Sequence, residues 1–280
     1  MTPEILLSSE ELAALSVSGK CTIVDCRFDL GDPDKGFRDY LAGHIPGAAY
    51  AHLDNNLSSP ITPVTGRHPL PDSQAFAAFL SDIAWAEDRL LVAYDEGSSA
   101  YAVRLWWLMR YYGQPAAVLD GGLAAWKASG HELQAGEIPV QPASACQLST
   151  KAEMTVSTDR LSQEPDKFMV IDARASERFS GKVEPLDTRA GHIPGAINRQ
   201  FGSNLQINGR FKKANELKKE FTVLLGQTPP EEVLHSCGSG VTACHNLFAM
   251  ELAGLKGSKL YPGSWSEWIR DPARPIETGL

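Results

Sequence analysis

The chain has no C-x-x-C pair and no dense cysteine framework; its five cysteines are an odd number spread over 280 residues. That excludes a small disulfide-built secreted domain and points to a reducing compartment. A basic block is also missing. Formal net charge is -8, with -7 carried by residues 1–130 and -1 by residues 131–280, a balance unsuited to general nucleic-acid binding. No apolar run approaches the roughly 18 residues of a membrane span. The most apolar helical stretch, "VRLWWLMRYYG", is interrupted by Arg104 and Arg110. The opening "MTPEILLSSEELAAL" lacks a basic n-region and a cleavable apolar core. These absences predict a cytoplasmic protein with neither nucleic acid nor membrane as partner.

What is present is a pattern written twice. "AGHIPGA" stands at residues 42–48 and again, unchanged, at 190–196. Upstream, "IVDCR" answers "VIDAR", and "SSEELAAL" answers "STDRLSQE", each a helix start with Ser or Thr in capping position. Downstream, "LDGGLAAW" answers "YPGSWSEW". Four matches in one order indicate an internal duplication and two domains, 1–131 and 151–280. Residues 132–150, which contain Gly, Ser and Pro and show little periodicity, read as the linker.

Within each half, short apolar runs alternate with helical patterns. "CTIVD", "LLVAYD", "FMVID" and "VLHS" read as strands; "SQAFAAFLSDIA", "AVRLWWLMRYYG" and "TACHNLFAMELAG" read as helices. Strands that do not alternate are covered on both faces, which predicts mainly parallel sheets flanked by helices. The expected class is α/β, twice over. Ligand sites in such sheets lie beyond the carboxyl ends of strands, and there "VLHS" is followed by Cys237, Gly238, Ser239, Gly240 and Val241.

This loop carries the chemistry. Two glycines let the backbone turn tightly and aim several N–H groups inward. The following helix adds unpaired donors and a partial positive charge, with Thr242 as its expected cap. A thiolate is stabilised in such a cradle, so Cys237 is the candidate nucleophile and the loop its anion hole. Cys21, Cys26, Cys146 and Cys244 read as small buried hydrophobes. A zinc site from His235, Cys237, Cys244 and His245 is not expected, since a strand, a loop and two adjacent helix positions converge poorly as ligands. Cysteine-dependent phosphatases use a similar loop with an arginine six residues after the cysteine; here that residue is Ala243, which removes the phosphoryl clamp.

Together, "CGSGVTAC", the doubled "GHIPGA" and "GSWSEW" resemble the tandem-domain rhodanese superfamily of sulfurtransferases, and most of all the 3-mercaptopyruvate sulfurtransferases. The resemblance covers nearly the whole chain and implies two rhodanese-like domains. It implies a persulfide on Cys237, exposed on its cradle, that takes sulfur from a small donor and passes it to thioredoxin, another thiol or cyanide; no cofactor or metal is expected. Substrate contacts would come from Arg178 and from Gly238, Ser239, Gly240, Val241 and Thr242. The first domain, with Asp95 where the second has Cys237, would be non-catalytic. His44 and Ser239 resemble positions proposed for a proton relay, while the repeat of the motif at His192 points to a turn-stabilising histidine. Many family members carry a second arginine just after "EP"; this chain has Leu186 there and Arg189 three residues on. Thiosulfate is the competing donor, and a persulfide carrier with little turnover is the competing class.

Overall fold

The computed structural model describes residues 5–139, 141–143 and 146–280. Two compact units divide the chain, and neither is continuous in sequence. The first comprises Met1–Ser59, Leu70–Lys151 and Ile207–Arg210; the second comprises Pro60–Pro69, Ala152–Gln206 and Phe211–Leu280.

In the first unit five strands, Leu6–Leu7 (β1), Cys21–Asp25 (β2), Ala49–Tyr50 (β3), Leu90–Tyr94 (β4) and Ala116–Leu119 (β5), form a sheet in the order β1-β5-β4-β2-β3. Every pairing is parallel. Helices Ser9–Val17 (α1), Lys35–Ala42 (α2), Ser73–Asp82 (α3), Ala102–Tyr111 (α4) and Gly122–Ala128 (α5) flank it. The expected serine cap of α1 is present, as a capping box: the Ser8 hydroxyl accepts from the Glu11 amide, and the Glu11 carboxylate accepts from the Ser8 amide. Asp72 caps α3 by accepting from the amides of Gln74 and Ala75.

Leu12, Ile23, Val92, Leu119, Leu123 and Trp126 pack into one core on this sheet. Helix α4 is buried from Ala102 through Met109, Arg104 included. The guanidinium that looks like a polar interruption in the sequence lies inside the fold and donates to the Leu57 carbonyl at 3.3 Å.

The second unit repeats the plan with Met169–Asp172 (β6), Ile197–Asn198 (β7), Val233–Ser236 (β8) and Lys259–Leu260 (β9), in the order β7-β6-β8-β9 and again all parallel. Its helices are Thr158–Gln163 (α6), Ser176–Phe179 (α7), Ala214–Leu225 (α8), Ala243–Leu252 (α9) and Ser264–Trp268 (α10). Leu161, Val170, Leu234, Tyr261, Trp265 and Trp268 share a core. Among the described residues no helix is long and apolar enough to cross a membrane.

The duplication extends to buried polar contacts. Arg27 pairs with Asp25 at 2.6 Å and donates to the Gly43 carbonyl; Arg174 pairs with Asp172 at 2.8 Å and donates to the Gly191 carbonyl. Each pair sits at the carboxyl end of its strand and ties that end to the "GHIPGA" turn. Inside the turns, His44 stacks on Tyr40 at 4.1 Å and bonds the Tyr40 carbonyl through Nδ1. His192 does the same with Phe179, stacked at 3.8 Å and bonded to its carbonyl. Both histidines therefore serve the turn.

Candidate active site

β8 ends at Ser236, and the loop Cys237–Thr242 carries the chain from the carboxyl edge of the sheet to α9. Gly240 makes the turn possible with φ +78, a left-handed conformation that costs glycine little. Its N–H points back and donates to the Cys237 sulfur at 3.2 Å. Among the described residues, the amides of Gly238, Ser239, Val241 and Thr242 donate to no protein acceptor. These donors and the first turn of α9 make an anion-binding nest beside the sulfur.

Two expectations need correction. Cys237 is not exposed: 2% of its surface is accessible, because the side chain turns inward onto the loop's own amide. Thr242 holds the N-cap position of α9, but its φ of -71 and ψ of -13 are already helical and its side chain makes no capping bond.

The charge that the loop lacks is supplied from outside it. A Cβ placed on Gly238 would lie 2.9 Å from Nη2 of Arg67 and 3.5 Å from Nη1 of Arg178. The absence of a side chain at 238 is what lets Arg67 come this close, while Arg178 stands at ordinary contact distance. Asp187 holds them together through ion pairs to Arg67 and, at 3.2 Å, to Arg178. Glu184 grips Arg178 at 2.7 Å and also accepts from the amides of Leu186 and Asp187. Burial works to raise the Glu184 carboxyl, but the Arg178 bond and those amides outweigh it and hold it below the usual carboxylate range. Leu186 itself is 44% exposed. Arg189 accepts from the Trp265 indole through its carbonyl. The second guanidinium at the loop is thus Arg67, which sequence reasoning missed.

Sequence reasoning also missed His68. Its ring Nδ1 lies 2.7 Å from the Ser239 hydroxyl, and the ring is buried. The histidine bonded to Ser239 is His68, whereas His44 is committed to its own turn. The available signal was "TGRHPLP", an arginine and a histidine in a loop punctuated by glycine and proline. His235 has both ring nitrogens unpartnered, and burial pushes its pKa down to about 3, so it is neutral at physiological pH. His245 bonds Asn204 and stacks on Phe211. Among the described residues no group of three or more His, Cys, Asp or Glu side chains could hold a metal ion.

In the first unit the equivalent loop is filled by its own side chain. The Asp95 carboxylate accepts from the amides of Gly97 at 3.1 Å, Ser99 at 2.9 Å, Tyr101 at 3.0 Å and Ala102 at 3.4 Å. An anion nest that already contains a carboxylate has no room for a substrate anion. Asp95→Ala removes the acceptor of four amides, and a loss of about 2–3 kcal/mol is expected. Calorimetry should show the unfolding midpoint falling by about 5–10 °C, while kcat stays within about threefold of the parent, since a carboxylate bonded to the amides of its own loop makes no bond specific to the transition state. A loss of turnover comparable to that of a nucleophile variant would contradict this reading of the loop.

A parallel sheet flanked by helices, present twice in one chain and bearing on its second copy a cysteine in a glycine-rich loop at the carboxyl edge, defines the class. The family model for the rhodanese-like domain matches residues 8–129 and 157–271, and the chain belongs to that family. It is 45% identical to a protein of Pseudomonas aeruginosa named probable 3-mercaptopyruvate sulfurtransferase, over 100% of both chains. A putative thiosulfate sulfurtransferase of Mycobacterium tuberculosis is 35% identical, over 99% of this chain and 98% of that one. Among solved structures, 3-mercaptopyruvate sulfurtransferase from Leishmania major superposes with a TM-score of 0.85 at 32% identity, covering 96% of this chain and 76% of that one.

Proposed function

We propose that the protein is a sulfurtransferase that moves a sulfur atom from 3-mercaptopyruvate to a thiol or cyanide acceptor through a persulfide on Cys237. The observation that carries the reading is the meeting of three things at one loop: a cysteine sulfur held by a backbone amide, two guanidiniums over Gly238, and the His68–Ser239 hydrogen bond. The Cys237 thiolate attacks the thiol sulfur of the donor. The carbon–sulfur bond breaks, its electron pair stays on carbon as the pyruvate enolate, and the enzyme keeps Cys–S–SH. A proton delivered through Ser239 and His68 converts the enolate to pyruvate. An acceptor thiolate then attacks the outer sulfur and leaves as RS–SH, returning Cys237 as thiolate. Thioredoxin, a small thiol or cyanide fits that second step.

Recognition of the donor falls to Arg67 and Arg178. A 2-oxo acid offers a planar carboxylate with an adjacent carbonyl, which a pair of forked guanidiniums can hold. Amides of Gly238, Ser239, Val241 and Thr242 face the developing enolate charge, where fixed donors are worth most. Thiosulfate also carries the charge that two guanidiniums attract, but it gains nothing from a proton relay, since sulfite leaves without protonation at carbon. A higher kcat/KM is therefore expected for 3-mercaptopyruvate than for thiosulfate. Arg178→Lys should lose about 1–3 kcal/mol of transition-state binding, because a point charge cannot reproduce a fork. Side-by-side steady-state assays with both donors and cyanide test this, and a better rate with thiosulfate would reverse the donor assignment.

A further inference from the structure

We propose that Ser264 is a positioning residue for sulfur transfer, fixing the backbone of Cys237 so that the sulfur faces the amide nest. The proposal rests on Cys237 as nucleophile and goes beyond it. Ser264 is fully buried, and its hydroxyl accepts the Cys237 N–H at 3.0 Å while donating to the Tyr261 carbonyl at 3.0 Å. The two residues that follow hold the other side of the loop. Trp265 N–H donates to the Cys237 carbonyl at 3.0 Å, and Ser266 N–H donates to the Gly238 carbonyl at 2.9 Å. Both backbone polar groups of the nucleophile are thus bonded to one short segment.

The duplication supplies an internal control. In the first unit Leu123 N–H donates to the Asp95 carbonyl at 2.8 Å, and Ala124 N–H donates to the Glu96 carbonyl at 3.0 Å, the same two bonds in the same register. The residue before Leu123 is Gly122, with φ +56; the residue before Trp265 is Ser264, with φ +53. One left-handed position is thus glycine beside the aspartate and serine beside the cysteine. Glycine adopts this conformation freely, whereas a residue with a Cβ is strained in it. A strained residue that a strain-free alternative could replace is a sign of function. What serine adds is the hydroxyl, and the hydroxyl is on the nucleophile's amide.

The physical consequence is orientation. With its N–H and carbonyl both engaged, the Cys237 backbone cannot rotate, and its Cα–Cβ bond keeps the sulfur 3.2 Å from the Gly240 amide. Without the hydroxyl, a buried N–H loses its acceptor and the adjoining peptide is released to seek another. The sulfur then drifts from the Gly240 amide it now accepts from, and misplacement on this scale costs roughly tenfold to a hundredfold in rate.

The decisive variant is Ser264→Gly, which removes the hydroxyl and the strain together. Its unfolding midpoint is expected within about 2 °C of the parent or above it. KM should stay within about twofold, while the rate of persulfide formation and the rate of Cys237 alkylation by iodoacetamide both fall at least tenfold, as expected of a displaced nucleophile. Ser264→Ala keeps the strain and loses the hydroxyl, so it should lose the same rates with a lower midpoint. Parent-like rates in Ser264→Gly would overturn the proposal, as would rate losses that follow the unfolding midpoint across the two variants. Alkylation is read without any sulfur donor, so it decides the role of Ser264 even if the donor is misassigned. A misassigned donor would show instead as poor turnover of 3-mercaptopyruvate by the unaltered protein.

Discussion

Cys237→Ser is expected to abolish sulfur transfer, with turnover falling by at least about a thousandfold, the scale seen when a nucleophile is removed. The loss should be chemical, with the fold unchanged. A serine hydroxyl occupies nearly the same space and can still accept the Gly240 N–H that now reaches the sulfur at 3.2 Å. The ties from Ser264 and Trp265 run to the backbone of residue 237 and are indifferent to its side chain. An alkoxide, however, is neither available at neutral pH nor able to hold a transferable sulfur as a persulfide does. Mass spectrometry after donor treatment should place one added sulfur on the peptide containing Cys237 in the parent and none in the variant. Cys244 is the built-in alternative: it is fully buried and directs its sulfur at the Gly240 carbonyl at 3.4 Å. There the sulfur is the donor to a carbonyl, whereas the Cys237 sulfur accepts from an amide N–H. A persulfide mapped to Cys244, or turnover retained by Cys237→Ser, would remove the foundation of the proposed function.

Much of the fold was readable because the responsible forces are local or repeated. Short runs without polar alternation, such as "CTIVD" and "VLHS", announce strands buried on both faces, and they are the observed β2 and β8. The duplication doubled each signal, and the Ser8 cap belongs to a four-residue pattern fulfilled in place. Cys237 could be singled out because the loop after a strand has its own glycine signature. Arg67 and His68 could not be found this way. They stand in Pro60–Pro69, a segment inside the first repeat in sequence that belongs to the second unit in space. No periodicity within one repeat reports a contact spanning 171 residues, such as that between His68 and Ser239. Asp95 was readable as a missing nucleophile but not as a carboxylate that fills its own nest, since that depends on the directions of four amides. The role of Ser264 was hidden for a related reason: "GSWSEW" looks like an ordinary helix start until its φ is known.

Gly240→Ala should be the most damaging small substitution in the loop. Gly240 has φ +78, and a Cβ there would lie 2.3 Å from the Pro262 carbonyl oxygen and 3.1 Å from its carbon. Those are backbone atoms, so nothing can swing aside. Left-handed strain alone costs about 1–2 kcal/mol, and overpacking against a rigid neighbour adds about 1–3 kcal/mol. The combined loss should lower the unfolding midpoint by about 5–15 °C. Activity should suffer beyond stability, because Pro262 lies two residues before Ser264 and any retreat pulls on the segment that holds Cys237. The Gly240 amide would also leave the sulfur it now reaches. At a temperature where the variant is fully folded, kcat/KM is expected to fall at least a hundredfold or so, as for removal of one oxyanion donor. Gly254→Ala is the matched control. Its φ is +75, nearly the same, yet nothing stands within 4 Å of the added Cβ. That variant should show the strain alone, a midpoint lower by about 2–6 °C with kcat/KM unchanged. If the two alanine variants lost stability and activity equally, the effect at 240 would be generic left-handed strain, and the close fit of loop to Pro262 would not be what holds the sulfur in place.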